Sequence, residues 1–403
     1  MRSTTDEEIR NRESKGPQPA TRPGVELDSP STAPISTYAD PARRFTIVST
    51  GVSATGTRAG DFREMDPYSA ALAFVDGRFE VHGDLVAAVE FFDRQPHSKL
   101  RSLWHSILAH LSHDGLGSHA HERNAQRRDI QFHYDRSNQF YQQFLDQRMQ
   151  YSAADFSDAR RTLDEAQLEK LQQVCLALKL QPGERLLDIG CGWGGLVIHA
   201  AEEFGVKAFG CTLSAAQKEY ASDLVQRRNL GDRVSLQIQD YRDVRGRFDK
   251  IVSVGMFEHV GRKHLPEYFR RIRELLDEDG MFLNRGIVRP EDVSDGPETL
   301  FLQRNVFPGG ELAHLADVIR EAEHAGFEIE RMEDFRRHYA LTCRAWVARL
   351  QQHAETCRSL VDERTLRIWL VYLAASAVCF ENGTTDAVQV LLRKRPLRTA
   401  PLA

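Results

Sequence analysis

Residues 190–195 are the first part of the sequence that could do chemistry. The apolar segment Arg185–Ile189 runs into the letters GCGWGG, and an amphipathic helical pattern follows directly. Glycines at such a point allow a tight turn and let a ligand lie against bare backbone at the start of a helix. The letters also fit the GxGxxG pattern of dinucleotide sites, which is weakly specific on its own. The loop therefore predicts a nucleotide-like ligand.

Three further features favour S-adenosylmethionine (SAM) over a dinucleotide. Asp188 lies two residues before the first glycine, a form typical of SAM enzymes, in which the acid helps to hold the amino-acid end of a cationic ligand. The second predicted strand ends in CTLS, without the acid that grips an NAD ribose about 20 residues further on. The third closes with Gln239, Asp240 and Tyr241, which supply an amide, a carboxylate and an aromatic face for adenine. The alternatives are a nicotinamide cofactor and a glycine turn kept for packing alone.

Glu258 is the candidate for acid–base chemistry. It follows the apolar letters DKIVSVGMF, where the ligand crevice of a parallel sheet should lie. A carboxylate buried there is costly without a partner, so a functional reason is expected; the alternative is a surface glutamate at a strand end. His259 beside it could act as a base, although a hydrogen-bonded histidine at a helix start is the simpler interpretation.

The elements that position these residues alternate between strand and helix. Short apolar segments begin near residues 185, 206, 234, 249 and 280, with amphipathic helical patterns between most of them. This alternation is typical of a parallel sheet with helices on both faces, whose ligands bind outside the carboxyl ends of the strands. We therefore predict an α/β fold with a doubly wound, Rossmann-like sheet.

The composition excludes several classes of protein. The 403 residues include 53 Lys and Arg against 58 Asp and Glu, so no basic excess indicates nucleic acid. The longest nearly unbroken apolar run, Trp369–Phe380, is shorter than the ~18–20 residues of a membrane span and predicts a buried helix. Six scattered cysteines without a CxxC pair suggest neither a disulfide framework nor a metal site. The charged first residues do not resemble a secretory signal, so we expect a cytoplasmic protein.

Changes in composition predict four segments. Residues 1–43 are rich in Ser, Thr, Pro and Arg and are expected to be a disordered tail. Residues 44–111 are expected to form a small α+β domain with a strand at FTIVST, a hairpin through Asp76-Gly77, and helices at DLVAAVEFF and LRSLWHSILAHL. Residues 112–128 are expected to be a polar linker with solvated histidines. The ligand-binding domain then occupies residues 129–403.

Several motifs fall at a specific spacing in this last domain. They are HYDRSNQFYQQFLDQRMQYSAADF, LLDIGCGWGGL, CTLSAAQ, QDYRD, FDKIVSVGMFEHVG and VFPGGEL. Together they resemble the cyclopropane-fatty-acid synthase family of SAM-dependent methyltransferases, from about Asp129 to Phe380. The resemblance implies a class I SAM-methyltransferase sheet with added helices over the active site. Parts of Ala345–Leu350 and Trp369–Phe380 would then line an acyl channel.

The same resemblance implies the contacts of the cofactor. They fall on Tyr151, Ser152, Asp188, Gly190, Gly192, Thr212, Leu213, Gln217, Gln239, Asp240 and Tyr241. In the family, a methyl group passes from SAM to a cis double bond of a phospholipid acyl chain, and the resulting carbocation loses a proton to close a cyclopropane.

The family's proton acceptor is thought to be a bound bicarbonate, and the resemblance implies where it would lie. Its glutamate and tyrosine ligands fall on Glu258 and Tyr339, and one of its backbone ligands falls on Ile287. Two positions depart from the family: its cysteine, a backbone ligand, is Ala153, and its histidine is Arg285. An arginine could hold a bicarbonate or pair with Glu258, but it cannot take a proton as a neutral histidine does. The departures therefore affect deprotonation and leave methyl transfer intact.

The expected function is one-carbon transfer from SAM to an unsaturated lipid acyl chain, giving a cyclopropane or a methyl- or methylene-branched product. Glu258, Arg285 and Tyr339 are the candidate catalytic residues. The alternatives are a small-molecule methyltransferase and a non-catalytic SAM-binding scaffold that acts through residues 44–111. The expected partners are an unsaturated lipid or other apolar acceptor and the inner membrane face, touched peripherally; a homodimer is compatible with the sequence, and nucleic acid is not expected.

Overall fold

A computed structural model describes most of the chain. It covers residues 37–39, 42, 44–50, 65–95, 137–293, 297–306 and 311–395. Most of the predicted tail, the predicted helix at LRSLWHSILAHL and the predicted linker at 112–128 lie outside the described residues, as do the first residues of the 133–156 motif.

The N-terminal part combines a small sheet with two helices. The elements are β1 (Thr37–Ala39), β2 (Phe45–Ser49), α1 (Pro67–Val75), β3 (Phe79–Gly83) and α2 (Leu85–Asp93). The three strands are antiparallel, in the order β1-β2-β3. Each helix begins after an aspartate, Asp66 or Asp84, whose carboxylate accepts a backbone hydrogen bond three residues on and satisfies a free donor of the first turn.

The predicted hairpin through Asp76-Gly77 is wrong. The residues before this turn end α1, and only those after it form a strand, β3, which pairs with β2. The spacing of the apolar residues in α1 fits both the two-residue period of a strand and the 3.6-residue period of a helix. Pro67 at the first helical position and Asp66 before it, however, are signals of a helix start.

Seven strands form the central sheet. The first five are β4 (Arg185–Ile189), β5 (Lys207–Thr212), β6 (Val234–Ile238), β7 (Phe248–Val254) and β8 (Leu276–Val288). The last two are β9 (Phe327–Asp334) and β10 (Asp386–Lys394). The order is β6-β5-β4-β7-β8-β10-β9, and the five predicted strands are parallel to one another. The sheet is not parallel throughout, because β10 runs antiparallel to both β8 and β9.

Ten helices of the described residues follow the N-terminal part. They are α3 (Asn138–Gln142), α4 (Leu163–Ala177), α5 (Gly195–Phe204), α6 (Ala215–Arg227), α7 (Leu265–Leu275), α8 (Pro297–Asn305), α9 (Leu315–His324), α10 (Arg336–Gln352), α11 (Ala354–Leu360) and α12 (Glu363–Asn382). None of these described helices is long and apolar enough to cross a membrane.

Helices cover both faces of the central sheet, as predicted. Adjacent residues of a strand face opposite sides: Leu187 and Ile251 pack with α7 and α9, whereas Leu186 and Val252 pack with α4, α5 and α6. The two faces therefore have separate apolar cores, and the α/β expectation is confirmed.

A third apolar cluster joins α10 and α12 to the N-terminal part. It contains Trp346 of α10 and Trp369 of α12 together with Phe74 and Phe92. Arg367 of α12 is buried at the junction, where it donates to the carbonyl of Phe74 at 3.0 Å and pairs with Glu80. The apolar runs at 345–350 and 369–380 are thus core helices, as predicted; the boundaries of the N-terminal domain stay a prediction.

Candidate active site

A cleft opens at the carboxyl ends of the central strands, where β4, β5 and β7 meet the segment 149–152. All eleven residues that the resemblance assigns to the cofactor line it: Tyr151, Ser152, Asp188, Gly190, Gly192, Thr212, Leu213, Gln217, Gln239, Asp240 and Tyr241. The structure thus brings together residues spread over 91 positions of the chain, because parallel strands end at the same edge of the sheet.

The glycine loop has little room for side chains on one side and faces the cleft on the other. Gly190 has a φ of 82°, and a Cβ built there would lie 2.9 Å from Met256 Cγ. A Cβ on Gly195 would lie 2.2 Å from Gln150 Nε2. On Gly192 it would meet no atom within 4 Å, so bare backbone is open to a ligand at that point. This is the arrangement expected of a loop that binds a ligand at a helix N-terminus.

Two opposite charges are buried in the cleft wall. Asp188 is 3% exposed and Lys170 is 1% exposed. Burial raises the pKa of Asp188 to about 7, with Lys170 opposing the shift, and burial lowers the pKa of Lys170 to about 7. The Lys170 ammonium donates to Ser152 Oγ at 3.2 Å and to Gln150 Oε1.

Sequence reasoning missed Lys170, although a signal was present. Gln167 and Lys170 fall on the apolar stripe of α4 at helical spacing, between Leu163 and Leu171, where polar side chains are unexpected. Gln167 Nε2 donates to the carbonyl of Ser152 at 2.9 Å, so α4 fixes the segment that carries two of the predicted cofactor contacts.

The far side of the cleft holds the candidate adenine site. Thr212 Oγ1 donates to Gln217 Oε1 at 2.8 Å, which joins the end of β5 to the first turn of α6. The Asp240 carboxylate accepts from Arg242 Nε at 2.8 Å and Nη2 at 2.6 Å. The Tyr241 ring is held edge-on against Tyr268 with centroids 5.5 Å apart. These contacts hold the carboxylate of Asp240 and the ring of Tyr241 in fixed positions.

Glu258 lies in a short 3-10 turn directly after β7. Its Oε1 accepts the N–H of Ile287 at 2.8 Å, and its buried Oε2 has no hydrogen-bond partner among the described residues. Burial raises the pKa of this carboxyl to about 7. A Cβ on Gly286 would lie 2.7 Å from Glu258 Oε1 and 2.5 Å from a ring carbon of Phe257, so only glycine leaves room for the carboxyl.

Arg285 is held by groups other than Glu258. It is 3% exposed, its Nη2 donates to the carbonyl of Ala153 at 2.9 Å, and its guanidinium lies 3.7 Å from the centre of the Phe335 ring. Burial lowers the pKa of Arg285 to about 10, which leaves it charged at neutral pH. Among the described ion pairs none joins Arg285 to Glu258, so that expected pairing is absent from the structure.

The residues present do not fit bicarbonate in the way that the resemblance implies. The resemblance implies backbone ligands at residues 153 and 287, where the structure offers the carbonyl of Ala153 and the N–H of Ile287. The first accepts from Arg285, and the second donates to Glu258. Two of the protein's own side chains, one cationic and one acidic, therefore occupy groups that would hold the anion.

Aromatic rings connect the cleft to Tyr339. Tyr151 lines the cleft, and its ring centre is 5.1 Å from that of Trp346. Tyr339 lies edge-on to Trp346 at 6.2 Å and stacks on Phe380 at 4.5 Å. We call these four rings the aromatic wall. Ring faces of this kind favour both apolar chains and cations.

Comparison with known proteins agrees with this geometry. The family model described as mycolic acid cyclopropane synthetase matches residues 121–390. Over 330 residues the chain is 40% identical to a probable fatty acid methyltransferase of Pseudomonas putida, covering 80% of this chain and 81% of that one. It is 37% identical over 263 residues to the cyclopropane-fatty-acyl-phospholipid synthase of Escherichia coli K12, covering 65% and 66%. The solved structure of mycolic acid cyclopropane synthase CmaA1 complexed with SAH and CTAB has a TM-score of 0.64 at 32% identity, covering 66% of this chain and 98% of that chain.

The fold, the cleft and the comparisons together identify the protein as a SAM-dependent methyltransferase. The chain belongs to the mycolic acid cyclopropane synthetase family, whose model matches about two thirds of it. This confirms the resemblance predicted from the motifs and the SAM dependence predicted from the glycine loop.

Proposed function

We propose that the protein transfers a methyl group from SAM to a double bond of an unsaturated fatty acyl chain and that Glu258 takes up the proton released. SAM supplies an electrophilic methyl group. An alkene carbon of the acceptor forms a bond to that methyl as the C–S bond breaks, which leaves S-adenosylhomocysteine (SAH) and a carbocation on the other alkene carbon. Loss of a proton from the new methyl closes a cyclopropane, whereas loss from a neighbouring carbon gives a branched alkene.

The observation that carries the proposal is the buried carboxyl of Glu258 behind the cleft. One oxygen is fixed by the Ile287 N–H, and the other has no partner among the described residues. A pKa of about 7 suits a group that must lose and gain a proton near neutral pH. We assign Glu258 the part of the base itself, since Arg285 and Glu258 occupy the backbone groups implied for bicarbonate.

The aromatic wall supports an apolar, cationic reaction path. Ring faces stabilise a nearby cation by about 0.5–2 kcal/mol, and an apolar lining keeps water from capturing the carbocation. Tyr339 and Trp346 lie on α10 and Phe380 lies on α12, so the acyl chain would lie along these two helices.

The names of the relatives support this acceptor class. The P. putida relative is described as a probable fatty acid methyltransferase and the E. coli relative as a cyclopropane-fatty-acyl-phospholipid synthase. If the acceptor is a phospholipid, the protein must reach acyl chains from the membrane surface, and a peripheral contact follows. Because the chain resembles both a methyltransferase and a cyclopropane synthase, the product assay must distinguish a branched product from a cyclopropane.

A product assay tests the proposal. We expect the purified protein to form SAH with vesicles of a monounsaturated phospholipid and to add one CH2 to the acyl mass. Vesicles of the saturated phospholipid of equal chain length are the matched control and should give no SAH. SAH formed only with soluble amines, phenols or other small acceptors would establish the small-molecule alternative instead.

Arg285→His should change how the proton is removed. The shorter imidazole frees the carbonyl of Ala153 and restores a neutral acceptor, so we expect the variant to gain a response to bicarbonate and a several-fold higher ratio of cyclopropane to branched product. Mass spectrometry of the acyl chains, with and without added bicarbonate, measures both. Arg331→His, at a half-exposed arginine on β9, is the control. Identical products from wild type and Arg285→His would show that Arg285 lies outside the deprotonation site.

A further inference from the structure

We propose that Lys170 binds the carboxylate of the methionine end of SAM, while Asp188 binds its ammonium group. The inference rests on the SAM site proposed above and deepens it, because none of the motifs assigns a partner to that carboxylate.

The position of Lys170 supports this role. It lines the cleft together with Asp188, Ser152 and Gln150. Its ammonium is buried, and its hydrogen bonds go to two neutral groups, Ser152 Oγ at 3.2 Å and Gln150 Oε1. Both groups turn the ammonium toward the segment 150–152 at the cleft wall. The carboxylates of Asp146 and Asp188 act on this ammonium electrostatically, and Arg285 opposes them, but neither carboxylate accepts a hydrogen bond from it among the described contacts. A buried ammonium whose hydrogen bonds go to neutral acceptors is costly and is stabilised strongly by an anion that it can contact directly.

The charges of the cleft match those of the ligand. The amino-acid end of SAM carries one carboxylate and one ammonium, and the cleft wall offers one ammonium and one carboxylate. Burial brings the pKa of both Lys170 and Asp188 to about 7, which means that neither charge is well supported by the protein alone. A bound zwitterion would supply the missing opposite charge to each.

The other basic residues that line the described cleft are less suited to the carboxylate. Arg242 donates to Asp240 with two nitrogens, at the candidate adenine site. Burial lowers the pKa of His259 to about 4, so its ring is neutral at physiological pH. Lys170 is therefore the cation at the Asp188 end of the cleft.

Ligands that lack part or all of the amino-acid end test the inference. Calorimetry would compare SAH with decarboxylated SAH, which keeps the amine, and with 5′-methylthioadenosine, which lacks the whole amino-acid end. We expect the wild type to bind SAH about 10- to 150-fold more tightly than decarboxylated SAH, the range of a charged hydrogen bond. In Lys170→Met that preference should vanish while the affinity for methylthioadenosine is unchanged. Lys170→Arg should keep the preference, and Lys207→Met, at an exposed lysine, is the control.

The outcomes separate the inference from the site on which it rests. If wild type does not bind SAH, the proposed SAM site fails. If it binds SAH but Lys170→Met keeps the preference, or loses affinity for all three ligands alike, Lys170 is a structural residue and the inference fails.

The wild-type protein gives a second readout, which does not require any variant to fold. At pH 8 the binding of SAH, but not of decarboxylated SAH, should take up protons as Lys170 becomes charged; equal uptake by both would also overturn the inference.

Discussion

Glu258→Gln should lower the turnover number by about 10²- to 10⁴-fold, the usual contribution of a general base, and leave the affinity for SAM unchanged. The amide cannot accept a proton from the carbocation. Its oxygen can still accept the N–H of Ile287, so the turn after β7 should keep its shape. Single-turnover formation of the deprotonated acyl product, one CH2 heavier than the monounsaturated chain, measures the loss by mass spectrometry, and calorimetry with SAH measures the affinity.

The pH profile gives the same residue a second test. A base works in its unprotonated form, so at saturating SAM the wild-type rate should rise with pH through about 7 and then level off. The variant should lack this rise. Glu267→Gln, at a half-exposed acid on α7, is the matched control and should retain both rate and profile. A variant that keeps the full rate with a normal profile would remove Glu258 from the reaction.

Asp188→Ala should weaken SAM binding by about 10- to 150-fold, because a hydrogen bond to a charged group contributes about 1.5–3 kcal/mol. Lys170 would keep Asp146 as a neighbouring carboxylate, so the loss should stay within this range. Isothermal calorimetry with SAM gives the affinity directly. Asp232→Ala, at an exposed aspartate between α6 and β6, should bind SAM as the wild type does. Unchanged affinity in Asp188→Ala would place the glycine loop outside the cofactor site.

Much of the cofactor cleft could be predicted from the sequence because its residues follow strands. Asp188, Thr212 and Gln239 stand at the ends of β4, β5 and β6, and a parallel sheet puts such ends side by side. The alternation of apolar segments with helical patterns located the strands, and the glycine-rich sequence at 190–195 located the turn. The family resemblance then added Tyr151 and Ser152, which lie on no strand and which local pattern alone would not place in the cleft.

The parts that could not be predicted depend on contacts between distant segments. Arg285 donates to Ala153, 132 positions earlier, and nothing local in either segment specifies that pairing. The strands β9 and β10 were not among the five predicted, and the direction of β10 was equally hidden, because its apolar residues suit a parallel or an antiparallel neighbour. Lys170 differs from these cases, because its position on the apolar stripe of α4 could have been recognised from the sequence.

The absence of a side chain at position 286 has an evolutionary consequence. Even the single methyl of alanine would press on the acid and on Phe257. In descendants of this enzyme, replacement of glycine at this one position would therefore require the carboxyl of Glu258 to move first. If Glu258 is the proposed base, substitution of Gly286 would lower activity although residue 286 carries no reactive atom of its own.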